Sequence, residues 1–224
     1  MSPLDKKSLT ELHCLYEDAH LLVLEKPAGL LCVPGRGPDK QDCLSHRAQM
    51  HWPDALIVHR LDMATSGLLI MARSKPVQAA LGQAFAQRQV HKRYTAIVHG
   101  LIPAITWQSI DAPLRCDWEN RPLQMVDTQQ GKPSLTHYCL AQDSCAMPKL
   151  PIPCTRVWLE PVTGRSHQLR VHMAHIGHAI VGDMLYAAPA TQAAAPRLLL
   201  HASHLRLQHP VSGQTLHVTS AVPF

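Results

Sequence analysis

An acid and a base two residues apart, within residues 59–70 (HRLDMATSGLLI), form the strongest candidate for chemistry in this sequence. Arg60 and Asp62 fall on a predicted loop between two short apolar segments, residues 55–59 and 67–72. Strands on both sides would present the carboxylate in a defined position, which is typical of a functional site. A solvated turn, in which Asp62 only hydrogen-bonds its own backbone, fits the same residues. The local pattern does not separate these two interpretations.

Two other kinds of site are not supported by the sequence. Four histidines lie close together, at His167, His172, His175 and His178. On a helix only the pairs 172/175 and 175/178, whose members are three residues apart, would share a face. No Glu follows a His as in the HExxH motif, and no cysteine is nearby, so we expect no metal. The glycine-rich segment 34–37 (PGRG) lacks the Gly-Lys-Ser/Thr of a phosphate-binding loop, which argues against nucleotide hydrolysis.

The elements that would position Asp62 can be predicted from apolar periodicity and turn residues. The loop is expected over residues 60–66, and a hairpin over 205–218 turns at the sequence PVSG. Strands outnumber helices and do not alternate with them, so the predicted fold class is α+β, with a central, mostly antiparallel sheet flanked by helices and loops. Strands are predicted over residues 21–25, 30–33, 55–59, 67–72, 94–98, 133–140 and 156–160, and helices over 41–51, 76–89 and 166–176.

Length and composition indicate a globular protein. The chain has 224 residues, of which 46% are hydrophobic, and its formal net charge is +5. We expect a single domain over residues 1–224, with residues 1–14 forming a loosely ordered segment. No apolar stretch approaches the roughly 18 residues of a membrane helix, and the N-terminus does not have the composition of a signal peptide. The positive charge and 16 histidines suit a polyanionic partner.

The cysteines indicate a reducing compartment. They are odd in number and no two have the Cys-x-x-Cys spacing, which argues against a disulfide framework and a zinc ribbon. We therefore predict a cytoplasmic protein in which the thiols are small buried hydrophobic groups. The seven cysteines are Cys14, Cys32, Cys43, Cys116, Cys139, Cys145 and Cys154.

Four segments, in order along the chain, resemble the motifs of one enzyme family. Residues 59–68 (HRLDMATSGL) resemble the signature of the RluA-type pseudouridine synthases, a pattern far more specific than a three-residue motif. Residues 25–30 (EKPAGL) resemble the Lys-Pro-x-Gly segment of that family, and residues 92–96 (KRYTA) its Lys-x-Tyr strand. Residues 161–172 (PVTGRSHQLRVH) resemble its Thr-Gly-Arg-x-His-Gln-Leu-Arg segment. The resemblance covers nearly the whole chain.

Details within these motifs narrow the resemblance. Residues 63–64 (MA) and 116–122 (CDWENRP) are similar to the small dual-specificity members that act on both 23S ribosomal RNA and tRNA. Ala179 departs from the pattern, because the family usually has Pro there. Many relatives carry an S4 RNA-binding domain before the catalytic domain, and we expect none here, so that RNA specificity must come from the catalytic domain itself.

The resemblance implies the pseudouridine synthase catalytic fold and a reaction that needs neither cofactor nor metal. It implies that Asp62 is the essential carboxylate, that Tyr94 stacks on the uracil near C5, and that Arg170 pairs with Asp62 and keeps it ionised. Without the resemblance, Tyr94 would be interpreted as an interior strand residue and Arg170 as a surface arginine. Whether Asp62 attacks C1′ or the uracil ring, or removes a proton at C2′, stays open.

The implied partner is structured RNA, in particular a tRNA anticodon stem-loop and a 23S rRNA hairpin. The target uridine must leave the base stack, and Arg60 is the implied wedge that fills the gap. Five further basic residues are candidate phosphate contacts, although each alone could be a solvated charge: Arg36, Arg93, Arg121, Lys132 and Arg165. We expect a monomer that does not bind membranes. An RNA-binding module without catalysis, or an enzyme restricted to one RNA class, remain the alternatives.

Overall fold

The computed structural model describes residues 12–142 and 147–224. The chain forms two compact units: the first contains the chain up to Val90 together with Arg206–Ser220, and the second contains His91–Leu205 together with Ala221–Phe224. The single domain expected over residues 1–224 stays a prediction. Most of the expected loose segment 1–14 lies outside the described residues, but His13 and Cys14 belong to a strand, so that any such segment ends earlier than predicted.

The first unit is built around strands that run through apolar sequence. Its strands are β1 (His13–Glu17), β2 (Leu21–Lys26), β3 (Leu56–Ile57), β4 (Ser66–Ala72) and β12 (Thr215–Thr219), and its helices are α1 (Leu44–His51) and α2 (Lys75–Ala86). Strand β2 pairs antiparallel with β1 and β4, and β3 pairs antiparallel with β4. Every residue of β4 is buried, which explains its continuous apolar sequence. Helix α2 begins after Ser74, whose side chain accepts a hydrogen bond from the Val77 N–H.

The second unit contains a run of antiparallel strands and a separate hairpin. Its elements are β5 (His91–His99), β6 (Gln108–Asp111), β7 (Leu114–Cys116), β8 (Gln124–Val126), β9 (Leu135–Leu140), β10 (Cys154–Pro161), α3 (Gln168–His175), α4 (Pro189–Ala193) and β11 (Leu200–Gln208, whose residues from Arg206 belong to the first unit). Strand β10 lies between β5 and β9, and β6 pairs with β9. Strands β7 and β8 form their own two-stranded sheet.

The antiparallel pairing confirms the predicted α+β class. Strands over β2, β4, β5, β9 and β10, helices over α1, α2 and α3, and the final hairpin are all confirmed, with ends that differ by a few residues. The strand predicted over 30–33 is wrong: only Leu31 makes an isolated bridge, to Cys43, because the carbonyls of Leu31 and Cys32 accept the N–H groups of Leu44 and Ser45 at the start of α1 instead of pairing along a strand. The strand predicted over 55–59 shrinks to Leu56–Ile57.

Candidate active site

Asp62 lies on the loop between β3 and β4, in the first unit, and is half-buried. The Thr65 N–H donates to the Asp62 carbonyl at 3.1 Å and closes a turn directly after it. The Gly29 N–H donates to the Met63 carbonyl at 2.8 Å, and Gly29 has φ +86°, a conformation that a side chain would strain. The backbone carbonyls of Asp62 and of the residue that follows it are therefore both held by hydrogen bonds.

A fully buried lysine, Lys26, also fixes this loop. The Lys26 ammonium donates to the carbonyls of Pro27 at 2.7 Å, Leu30 at 2.8 Å and Met63 at 3.0 Å. A buried ammonium is strongly unfavourable unless its protons are bound by oxygen atoms, and here three carbonyls supply them. Lys26 thus ties the residue that follows Asp62 to the 26–30 segment. The sequence singled out this segment through the resemblance but assigned it no role.

Cys32 binds the residue that precedes Asp62. Its sulfur lies 3.2 Å from both the N–H and the carbonyl of Leu61, so the sulfur accepts one hydrogen bond and the thiol donates the other. Burial is the largest influence on the pKa of this thiol and raises it. The charges of Lys26 and Arg60 lower this pKa, and the charge of Asp62 raises it. Cys32 is buried, as the sequence predicts for the cysteines, but it is also a hydrogen-bonding group of the candidate site, which the sequence analysis missed.

His59 anchors the start of the signature motif. Its Nε2 accepts a hydrogen bond from the Ile70 N–H of β4 at 3.1 Å, which requires the neutral ring with its proton on Nδ1. The ring also stacks on Phe85 of α2 with centroids 4.5 Å apart. Arg60, the implied wedge, directly follows this anchor and is exposed, and so is Arg36 in the 34–37 turn.

Tyr94, in the second unit, is half-buried in β5 opposite Leu159 of β10. Its neighbour Arg93 is paired with Glu160 at 2.7 Å, and its guanidinium lies 4.8 Å from the centre of the Trp158 ring. Arg93 therefore already has an anionic partner, with which any RNA phosphate would have to compete.

Arg170 is buried on α3 and forms an ion pair with a carboxylate that the sequence analysis did not identify. Its Nε donates to Asp183 Oδ2 at 2.8 Å and its Nη2 donates to Asp183 Oδ1 at 2.7 Å. Asp183 is fully buried and also accepts the Leu185 N–H at 2.9 Å. Such a bidentate pair fixes the plane of the guanidinium. Arg170 is therefore not a surface arginine, and its expected pairing with Asp62 stays a prediction.

Tyr186 links this ion pair to the β7–β8 hairpin. The Arg170 guanidinium lies 5.1 Å from the centre of the Tyr186 ring. The Tyr186 hydroxyl accepts the Gln124 N–H of β8 at 2.9 Å and shares a hydrogen bond of 2.6 Å with His167 Nδ1. His167 adopts φ +54° as α3 begins, a left-handed conformation that costs energy in a residue with a side chain.

The histidine cluster considered for metal has other roles. His172 Nε2 donates to the Ala112 carbonyl at 2.9 Å, and its Nδ1 lies 2.9 Å from Thr136 Oγ1. Burial lowers the pKa of His172, consistent with a neutral ring whose two nitrogens serve the packing of α3. Across residues 12–142 and 147–224, no group of three or more His, Cys, Asp or Glu side chains is arranged to hold a metal ion.

The remaining predicted RNA contacts are exposed in the second unit. Lys132 forms an isolated antiparallel bridge with Leu114 of β7. Arg165 donates from Nε and from Nη2 to the carbonyl of Pro133, the residue after Lys132, both at 3.3 Å. Lys132 and Arg165 are thus brought close together. Arg121 lies on the hairpin tip, with its guanidinium carbon 3.6 Å from the centre of the Trp118 ring.

Comparison with known proteins agrees with the resemblance found in the sequence motifs. The model of the family described as RNA pseudouridylate synthase matches residues 20–175. The chain is 45% identical over 213 residues to the dual-specificity RNA pseudouridine synthase RluA of Escherichia coli K12, covering 94% of this chain and 93% of that protein. RluA of Yersinia pestis is 45% identical over 211 residues, covering 94% of this chain and 98% of that protein.

Solved structures agree with the sequence comparison. Human RNA pseudouridylate synthase domain containing 1 superposes with a TM-score of 0.78 at 28% identity, covering 100% of this chain and 87% of that chain. Human RNA pseudouridylate synthase domain containing 4 gives 0.72 at 25% identity, covering 97% and 90%. The predicted pseudouridine synthase fold is confirmed. None of the helices in the described part of the chain is both long and apolar enough to span a bilayer.

Proposed function

Because this chain belongs to the RNA pseudouridylate synthase family and therefore isomerises uridine to pseudouridine in RNA, we propose that Asp62 is the carboxylate on which its catalysis depends. In this reaction the N1–C1′ bond of the uridine breaks, the uracil turns, and C5 forms the new bond to C1′ while its proton leaves and N1 gains one. Nothing is oxidised or reduced, and no group leaves the RNA. The protein must supply a carboxylate, a proton acceptor and a pocket for a turned base.

The observation that carries the assignment is the double backbone anchor of the Asp62 loop. Lys26 binds the carbonyl of the residue after Asp62, and Cys32 binds both backbone groups of the residue before it. Anchors of this kind hold a carboxylate in one position before substrate arrives, which is what nucleophilic or electrostatic catalysis at C1′ needs. A solvated surface turn would not require a buried lysine to bind its backbone carbonyls.

Arg170 is the proposed electrostatic partner of Asp62. Its grip on Asp183 fixes one edge of the guanidinium, so that the group is oriented before substrate binds. An arginine near a carboxylate favours the ionised form, which is the reactive form in every mechanism considered for Asp62. Tyr94 is the proposed neighbour of the uracil, stacked on the ring and close to C5.

The proposed substrates are a tRNA anticodon stem-loop and a 23S rRNA hairpin. Support comes from the 45% identity to enzymes described as dual-specificity and from the 116–122 segment. Exposed basic residues on both units, Arg36, Arg60, Lys132 and Arg165, suit the phosphates of such RNA. We propose that the enzyme acts as a monomer without a membrane partner, in the cytoplasm, where both RNA classes are present.

Mapping pseudouridine in tRNA and rRNA from a deletion strain, with and without the restored gene, tests the substrates. Sites that disappear from both RNA classes and return with the gene would support dual specificity. Loss in one class alone would restrict the enzyme to that class. Unchanged maps in both classes would contradict the proposed substrates and favour the RNA-binding module without catalysis.

Cys32 is expected to position the Asp62 loop through its hydrogen bonds. Cys32→Val introduces a slightly larger apolar side chain and removes both bonds to Leu61, so single-turnover rates should fall roughly 2- to 10-fold per bond lost, with little change in RNA affinity. Cys32→Ser restores a donor and an acceptor and should recover most of the rate. Cys139→Val, at an equally buried thiol in the second unit, is the matched control. Equal rates for Cys32→Val and Cys139→Val would reduce Cys32 to a packing residue.

Arg60 is expected to fill the space that the flipped uridine leaves. Arg60→Ala should lose the compensation for unstacking, a few kcal/mol, and so lose more activity on a rigid stem-loop than on one with a loosened target pair. Arg36→Ala is the comparison variant, because a plain phosphate contact should weaken both RNAs equally and reduce the salt slope by about one. Rates on both RNAs at two salt concentrations decide the matter. If Arg60→Ala behaves as Arg36→Ala does, Arg60 is a phosphate anchor.

A further inference from the structure

The tip of the β7–β8 hairpin exposes a large aromatic surface. Trp118 is 66% exposed, and the Arg121 guanidinium lies over one face of its ring at 3.6 Å from the ring centre. A cation covers that face and stabilises the ring orientation, while most of the remaining indole faces solvent. Leaving an indole in water forgoes the stabilisation that its burial would give. We call Trp118 together with Arg121 the Trp118 platform.

Hydrogen bonds within the tip hold the platform in place. The Asp117 N–H donates to the Leu123 carbonyl and the Leu123 N–H donates to the Asn120 carbonyl, both at 3.0 Å. The Asp117 carboxylate accepts the Asn120 side-chain amide at 2.9 Å, and this contact lowers the pKa of Asp117. An aromatic ring on a fixed loop loses little conformational freedom when a planar ligand stacks on it.

The base of the hairpin is fixed as well. Arg115 Nε donates to the Asp127 carboxylate, and this contact holds the pKa of Asp127 at about 2. The Gln124 N–H donates to Tyr186, whose ring also lies beside the Arg170 guanidinium. The Trp118 platform is therefore mounted on the same scaffold that orients a proposed active-site arginine.

The charges of the tip argue for contact with a base rather than with phosphates. Between β7 and β8 the chain carries two acidic residues, Asp117 and Glu119, and one basic residue, Arg121. This balance is unsuited to a phosphate cluster, whereas stacking requires only a ring face and tolerates any base. Unpaired bases of RNA are commonly recognised by stacking on aromatic rings and guanidinium planes.

We propose that the Trp118 platform stacks an unpaired base of the RNA substrate, outside the target uridine itself. The proposal rests on the proposed function, since it assumes a hairpin RNA with unpaired loop nucleotides. It replaces the interpretation of Arg121 as a phosphate contact: Arg121 supports the ring from one face, and the base occupies the other.

The test measures affinity for two RNAs, an anticodon-type hairpin with an unpaired loop and the same stem closed as a blunt duplex. Trp118→Ala should weaken hairpin binding roughly 5- to 150-fold, as loss of base stacking does, and leave duplex binding and the salt slope unchanged. Trp118→Phe should lose less. Trp107→Ala, at another exposed tryptophan beside an arginine, should bind both RNAs as the parent does.

Tryptophan fluorescence gives a second readout that does not depend on the alanine variant being well folded. Hairpin RNA should quench the emission of the parent and of Trp107→Phe, and this quenching should largely vanish in Trp118→Phe. Full quenching in Trp118→Phe, or an equal loss of affinity on hairpin and duplex, would overturn the proposal. Pseudouridine formation by the parent, measured on the same hairpin, separates the two hypotheses, because its absence would contradict the proposed substrate and not the stacking.

Discussion

Asp62→Asn should bind hairpin RNA nearly as tightly as the parent and form no pseudouridine. The substitution keeps the shape of the side chain but removes the negative charge and the nucleophile. Because the Asp62 loop is held through its backbone by Lys26 and Cys32, we expect the loop to keep its conformation. The measurement is a single-turnover assay for pseudouridine, with affinity determined in parallel.

The control for this loss is Asp54→Asn, also in the first unit, where the carboxylate pairs with Arg73 at 3.0 Å on the surface. This variant should keep the parent rate, since exposed ion pairs contribute little to stability. If Asp62→Asn retained a tenth of the parent rate, the carboxylate would not be essential and its assignment would fail.

Tyr94→Phe should lower turnover by roughly 10² to 10⁴ and leave affinity nearly unchanged, if the hydroxyl helps to remove the C5 proton. A residue that only stacks on the uracil would tolerate the change, because the ring remains. We expect the larger effect, since the rearranged uracil must lose that proton before the product is complete. Release of tritium from C5-labelled RNA measures the step directly.

The register of the sheet supplies a matched control for Tyr94. Leu159 of β10 lies between Tyr94 of β5 on one side and Tyr138 of β9 on the other, so both tyrosines project from the same face. Tyr138→Phe removes an equivalent hydroxyl two strands away and should release tritium at the parent rate. Identical rates for the two variants would leave Tyr94 as a stacking platform only.

The sequence predicted those parts of the molecule in which neighbouring residues carry the information. Strand β4 follows from the apolar segment 67–72, and α2 from the apolar spacing after Pro76. The signature motif located Asp62 on the loop before β4. The strand predicted over 30–33 is wrong because its apolar residues resemble those of a strand, whereas its carbonyls accept hydrogen bonds from Leu44 and Ser45 at the start of α1, a contact that no local pattern shows.

The supporting residues of the site were harder to find for the same reason. Arg170 and Asp183 are 13 residues apart and Gln124 and Tyr186 are 62 apart, so neither contact leaves a local pattern. One signal was available. Asp183 ends the apolar segment 179–183 (AIVGD), and an acidic group in such a segment has to be paired if it is buried.

The Tyr186 link has a consequence for how such an enzyme can change its targets during evolution. Tyr186 holds the hairpin through the main-chain N–H of Gln124, which every amino acid except proline can supply. Side chains at the tip can therefore be replaced without removing this attachment to the scaffold beside Arg170. Under the proposed stacking role, substitutions at the tip would change which RNA is recognised and leave the groups beside Arg170 in place.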